Sequence, residues 1–246
     1  MQETPDDGMM TRQTLILGNE RFRVGPWHAD PAIAYLALTP DVPRASPDGL
    51  RRCLLRLGDD GYSSVITAAL HPDEAQSFLL AGFEEYDRLR VLSHPLIDLD
   101  PPRRDHDTGI CLRRARTTDR RSALEVDRRA FNPFWRLDSD GLDEALDATP
   151  RTRFRAATRG DLIGYAVTGR AGTQGFLQRL AVDPDHAGAG VGSALVLDAL
   201  RWSRRRRARR VLVNTQPDNH RALELYHRLG FETTPTDLFV MARSIR

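Results

Sequence analysis

The stretch LAVDPDHAGAGVGSAL, Leu180 to Leu195, decides the fold: it is apolar and β-branched at its start, carries glycine at 188, 190 and 192, and returns to small and apolar residues. That pattern predicts a strand entering a glycine-rich turn that opens an amphipathic helix. In Gly188-Ala189-Gly190-Val191-Gly192-Ser193, glycine at every second position permits φ > 0 and lets several backbone N–H groups converge with no Cβ in the way. The unpaired N–H groups of the helix's first turn and the positive end of its dipole extend this cradle, so it suits an anionic diphosphate without any lysine. Glycines also serve tight strand-to-helix corners for steric reasons alone, and the turn therefore needs a second element to carry a function.

The second element is NHRALELYHRLGF, Asn219 to Phe231. In this order and at this separation the two motifs resemble the GCN5-related N-acetyltransferase (GNAT) superfamily. The second matches the pattern N-x-x-A-x-x-L-Y-x-x-x-G-F at Asn219, Ala222, Leu225, Tyr226, Gly230 and Phe231. The first departs once, with Ala187 where the family usually has Arg or Gln, which removes a side chain but no backbone donor.

The resemblance implies an α/β (α+β) fold, a mixed central sheet flanked by helices, with acetyl-CoA as acetyl donor and no metal. It places the pantetheine arm along Leu180, Ala181 and Val182, and the diphosphate on Gly188, Ala189, Gly190, Val191, Gly192 and Ser193. Asn219 would bond the cofactor arm, and Tyr226 would protonate the departing sulfur. The acetyl group would pass directly, in a ternary complex, to a primary amine on a small molecule, a protein N-terminus or a lysine. The general base stays open. The strand GFLQRLAV offers only Gln178 and Arg179, and Glu125, Asp138, His227 or bulk water are the alternatives.

Every one of the 36 Lys+Arg residues is arginine. Schiff-base, pyridoxal-phosphate and Walker A chemistry are thereby excluded, since each needs a lysine. With 34 acidic residues the formal net charge is only +2, which implies no nucleic-acid partner. The run Arg204 to Arg210 reads as cations at a helix C-terminus. Cys53 and Cys111 match no metal-ligand spacing and suggest a reducing compartment. The opening MQETPDDGMM is polar, and no run of about 18 apolar residues occurs, so the expectation is a cytoplasmic chain with no membrane partner. Homodimerisation is left open.

The first half reads as a worn copy of the second. Leu36-Ala37-Leu38-Thr39-Pro40 parallels Leu180 to Pro184, and Phe78 to Phe83 parallels Tyr226 to Phe231, without the glycine turn and with Phe78 in place of the tyrosine. The expected organisation is a smaller degenerate GNAT-like domain at 1–97, a proline-rich charged linker at 98–108, and a catalytic domain at 109–246 whose sheet closes with Leu238 to Met241. The cluster Phe131-Asn132-Pro133-Phe134-Trp135 is a candidate wall for the acceptor. A catalytically silent acyl-CoA-binding sensor or partner module is the alternative function.

Overall fold

The structure, a computed structural model, describes residues 12–27, 30–39, 45–97, 99 and 109–245. The polar leader, Pro40 and all of the expected linker except Leu99 lie outside the described residues. The chain begins with β1 (Gln13–Leu17), β2 (Glu20–Trp27), β3 (Asp30–Leu38), α1 (Pro47–Asp59), β4 (Ser64–Thr67), α2 (Pro72–Leu80) and β5 (Glu84–His94). There follow β6 (Cys111–Arg114), α3 (Arg120–Ala130), α4 (Ser139–Asp147), β7 (Arg151–Arg159), β8 (Asp161–Ala171), β9 (Gln174–Val182) and α5 (Val191–Arg205). β10 (Arg210–Thr215), α6 (His220–Arg228), β11 (Glu232–Thr233) and β12 (Leu238–Ser244) complete it.

The chain divides into two compact units, one of residues up to Arg88 together with those from Asp237 onward, the other Leu89–Thr236. In the first unit β1, β2 and β3 form an antiparallel meander, and α1 crosses over to β4, which runs parallel to β3. α1 starts where a cap is available: Ser46 Oγ accepts from the Gly49 N–H at 3.0 Å, and Pro47 sits where its missing N–H costs nothing. The helix continues through Gly58 and ends at Asp59. Phe22, Leu36, Leu50, Leu57 and Phe78 form the core of this unit.

The second unit repeats that order around a larger sheet. β6 to β9 are antiparallel neighbours, β10 runs parallel to β9 after the α5 crossover, and β5 and then β11 follow antiparallel. Alternation along β8 divides the faces: Tyr165 and Val167 pack with Ala123, Val126 and Leu142 of α3 and α4. Ala166 packs with Val191, Leu195 and Leu200 of α5. Each of the buried valines and leucines among these contributes about 1.5–3 kcal/mol of transfer free energy.

The parallel between Phe78 to Phe83 and Tyr226 to Phe231 is also one of geometry. In each, a glycine with φ of +83° or +86° ends the helix, and the next aromatic N–H returns to the first aromatic's carbonyl at 3.0 Å. The aromatic pairs lie 5.1 and 5.4 Å apart, centroid to centroid.

The unit boundaries differ from the expected 1–97 and 109–246, because each repeat gives its last strand away. β12 does not close the sheet of the second unit; it pairs antiparallel with β4, Ala242 opposite Ile66, in the first. Met241 is buried in the core of that unit, and its N–H donates to Thr67 Oγ1 at 2.9 Å. β5 instead pairs with β10 and buries Leu92 in the second unit.

His94, in β5, supplies a pH-dependent part of the stability. Its Nδ1 accepts from the Leu96 N–H at 2.9 Å and its ring meets Phe231 edge-on at 5.2 Å. Burial holds its pKa below the usual 6.5, with a hydrogen bond to the Leu229 backbone acting the other way. The folded state therefore binds fewer protons than the unfolded one in this range. Its contribution is complete above pH 6.5 and is lost as the pH falls through the depressed folded value. The urea midpoint is expected to fall between about pH 7.5 and about pH 5.5, and to fall less in His94→Gln. An equal fall in both proteins would show that His94 is not the group responsible.

Candidate active site

The glycine turn is held from behind by a double ion pair. Arg129 of α3 reaches Asp183 at 2.6 Å and Asp185 at 2.7 Å, while Asp183 Oδ1 accepts from the Asp185 N–H at 2.9 Å. This clamp fixes the short 3₁₀ turn Pro184–His186 that joins β9 to the cradle. Gly188 and Gly190 then take φ of +78° and +84°, where only glycine is free of strain, and α5 begins at Val191. The backbone N–H groups of Gly188, Gly190, Val191, Gly192 and Ser193 have no acceptor among the described residues. The Ala189 N–H reaches only the His186 carbonyl, at 3.4 Å. A Cβ placed on Gly188 or Gly190 would meet nothing within 4 Å, so this face of the turn is open. Gly192 serves packing instead: a Cβ there would stand 3.1 Å from Leu225 of α6.

Beside the turn, β9 and β10 part. Their ladder runs only from Arg210–Leu212 against Gln174–Phe176, whereas β9 stays paired with β8 as far as Val182. The edge of β9 that carries Leu180, Ala181 and Val182 therefore faces no strand among the described residues. An extended amide-bearing chain can add to such an edge by main-chain hydrogen bonds.

α6 holds Asn219 and Tyr226 in different ways. Asn219 is the helix cap: its Oδ1 accepts from the Ala222 N–H at 3.2 Å and its Nδ2 donates to Thr215 Oγ1 at 3.0 Å. Both polar ends of the side chain expected to bond the cofactor arm are thus engaged within the protein. Tyr226 is buried in the same cluster as Val191 and Leu195. Its hydroxyl has no hydrogen-bond partner among the described residues. Burial pushes the Tyr226 pKa up, with the positive charge of Arg179 acting in the opposite direction, so the phenol is protonated at neutral pH.

A buried ion pair that the sequence did not disclose lies on the other side of β9. Asp127 of α3 is fully buried and accepts from Arg179 Nε and Nη2, both at 2.7 Å, from the Tyr165 hydroxyl at 2.6 Å and from the Leu137 N–H at 2.8 Å. Arg179 also donates to the Trp135 carbonyl at 2.8 Å and lies 3.5 Å over the Phe131 ring. The aromatic cluster 131–135 is therefore bound to β9 through this guanidinium. Burial, and then the charge of Asp127, push the Tyr165 pKa up, which keeps its hydroxyl a donor.

None of the candidate bases stands free at the cleft. Glu125 is exposed and tied to Arg128, whose hydrogen bond lowers its pKa. Asp138 caps α4 by accepting from the Gly141 N–H at 2.7 Å, and His227 Nδ1 lies 3.1 Å from the Phe231 carbonyl. Gln178 Oε1 is buried without a partner among the described residues, near Gly169 and Thr149. Among the described residues no group of three His, Cys, Asp or Glu is placed to hold a metal, and no helix is long and apolar enough to cross a membrane.

The sequence model described as "Acetyltransferase (GNAT) family" matches residues 120–231, which contain both motifs. The chain is 32% identical, over 96% of its own length and 79% of the relative's, to the mycothiol acetyltransferase of Geodermatophilus obscurus. This chain belongs to the GNAT acetyltransferase family. It is an acetyltransferase of that type, and the family generally uses acetyl-CoA. The mycothiol acetyltransferase of Amycolatopsis mediterranei is 30% identical over 68% of the chain, which there spans 61% of the relative. Among solved structures, a tandem GNAT protein from the clavulanic acid biosynthesis pathway, solved without AcCoA, superposes on 92% of the chain and 79% of its own with a TM-score of 0.65. At 16% identity it shares the fold, including the tandem arrangement.

Proposed function

We propose that the second unit transfers the acetyl group of acetyl-CoA directly to a primary amine bound beside it. Five N–H groups of the turn support this reading: they have no acceptor among the described residues, they cluster in sequence where α5 begins beside the open Cβ positions of Gly188 and Gly190, and an anionic diphosphate would answer them. The unpaired edge of β9 suits the amide-bearing pantetheine arm, which would set the thioester beside Tyr226. Tyr226 then protonates the departing thiolate, and the attacking amine gives up its proton to water. The GNAT mycothiol acetyltransferases it resembles favour a mycothiol-type amine as acceptor, with the 131–135 cluster as its wall.

Gly190→Val tests the cradle. Valine at a φ of +84° costs about 1–2 kcal/mol of backbone strain, and it reorients the N–H groups on either side. The affinity for acetyl-CoA, measured by calorimetry, is expected to fall at least tenfold, while Tm drops by roughly 2–8 °C. An unchanged Kd would remove the diphosphate from this turn. Thiol release over a panel of amines, with a mycothiol-type amine among them, tests the acceptor. Turnover of other amines alone would leave the donor assignment intact and overturn the acceptor.

A further inference from the structure

The second unit carries a groove of about 800 Å³ at the far end of α5 from the glycine turn. Seven of its fourteen lining residues are arginines and none is a carboxylate, which sets it apart from an ordinary solvated surface of mixed sign. Its floor follows from strand alternation: Arg151, Arg153 and Arg155 point to one face of β7. Its wall follows from helix periodicity, with Asp198, Trp202 and Arg206 along one stripe of α5. Arg114 of β6 stands directly opposite Arg155 in the ladder, a like-charge pair that costs stability.

The acidic groups at hand do not cancel this charge. Asp198 pairs with Arg153 at 3.1 Å and with Arg155 at 2.9 Å, and Asp143 takes Arg120 at 2.6 Å. Arg114, Arg151 and Arg206 have no carboxylate partner among the described residues. Arg116 only flanks Asp119, which Arg113 already holds at 2.6 Å. Burial, and after it the charges of Arg155 and Arg205, hold the Arg153 pKa below its ordinary value despite Asp198. The groove thus gathers the exposed Arg114, Arg151 and Arg206 in one concave place, around the half-buried Arg153 and Arg155 that share the single carboxylate of Asp198.

We propose that this groove binds a compact polyphosphate, its phosphates bridging Arg151 and Arg206 across the groove and reaching Arg114. Guanidinium forks arriving from a strand, a helix and an edge strand match several closely spaced phosphate oxygens in a way that point charges do not. The volume suits a small ligand, and the half-buried Trp202 offers a platform for a ring. Trp202 and Arg206 lie 11 and 15 residues past Val191, about 17–23 Å along α5 at 1.5 Å per residue, so the groove is separate from the diphosphate cradle.

The test uses the full-length protein at constant ionic strength, with sodium tripolyphosphate and ATP as separate probes, followed by calorimetry and by Tm. Tripolyphosphate is expected to bind at one site per chain and to raise Tm. Arg151→Gln/Arg206→Gln should weaken that binding at least tenfold while leaving the melting temperature of the free protein unchanged or higher. ATP binding tighter than tripolyphosphate would identify a nucleotide as the source of the phosphates, and equal binding would identify the phosphates alone. Saturating acetyl-CoA should leave the binding intact. No saturable binding, undiminished binding by the double variant, displacement by acetyl-CoA, or tighter binding of a single-stranded RNA 12-mer than of either probe would each overturn the proposal.

Discussion

Asp127→Ala is expected to cost about 3–5 kcal/mol of stability, because it leaves the Arg179 guanidinium buried without its counter-charge. The loss would appear as a fall in Tm of roughly 6–20 °C for a chain of this size. The geometry explains why so much rests on one carboxylate: both Asp127 oxygens are shared among Arg179, Tyr165 and Leu137 at 2.6–2.8 Å, and the residue is fully buried. Truncation orphans the Tyr165 hydroxyl and leaves the guanidinium only the Trp135 carbonyl as acceptor. Removing both charges together should cost less, since a buried pair replaced by apolar groups is often nearly neutral. Urea melts of Asp127→Ala, Arg179→Met and Asp127→Leu/Arg179→Met check this. A loss within about 1 kcal/mol in Asp127→Ala, the size expected of an exposed pair, would show that the network holds nothing in place.

How far the sequence disclosed this molecule depends on how local each feature is. The cradle was legible because a φ near +80° admits almost nothing but glycine, so Gly188 and Gly190 announce it by themselves. Gly192 belongs to the same motif for a different reason, the approach of Leu225, which no one-dimensional pattern separates from the first. The asparagine of the second motif was legible as well, yet its structural work is to cap α6, three residues before the Ala222 N–H it holds.

Non-local features escaped. Asp127 sits in RRSALEVDRRA, where four arginines surround it and a solvated helix face is the natural reading. Its burial shows only in its spacing of four residues from Ala123, on the face toward β8 and β9. The exchange of β5 and β12 between the units escaped for a related cause. Both strands carry a short apolar run, Val91-Leu92 in β5 and Leu238 to Met241 in β12, and neither run names its partner strand. What separates the two arrangements is side-chain fit in the two cores, around Leu92 and Met241.

The proposed mechanism gives Tyr226 its one chemical step, and Tyr226→Phe removes nothing but its hydroxyl. That hydroxyl makes no hydrogen bond among the described residues, so the fold has little to lose: the variant's stability should change by less than the roughly 0.5–1.5 kcal/mol of an ordinary hydrogen bond. The ring's packing against Phe231, 5.4 Å away, survives in phenylalanine. A proton donor to a departing thiolate contributes about 10²- to 10⁴-fold to the rate, because negative charge grows on sulfur where burial leaves few other donors. The two roles therefore give outcomes that do not overlap. Acetyl-CoA affinity and Tm are expected to hold while the single-turnover rate falls at least tenfold, a readout chosen because product release can mask chemistry in kcat. The rate loss should also be smallest with thioesters whose thiolate leaves most readily, since those need the proton least. A Phe variant with the wild-type single-turnover rate would make Tyr226 a packing residue, the counterpart of Phe78 in chemistry as well as in place.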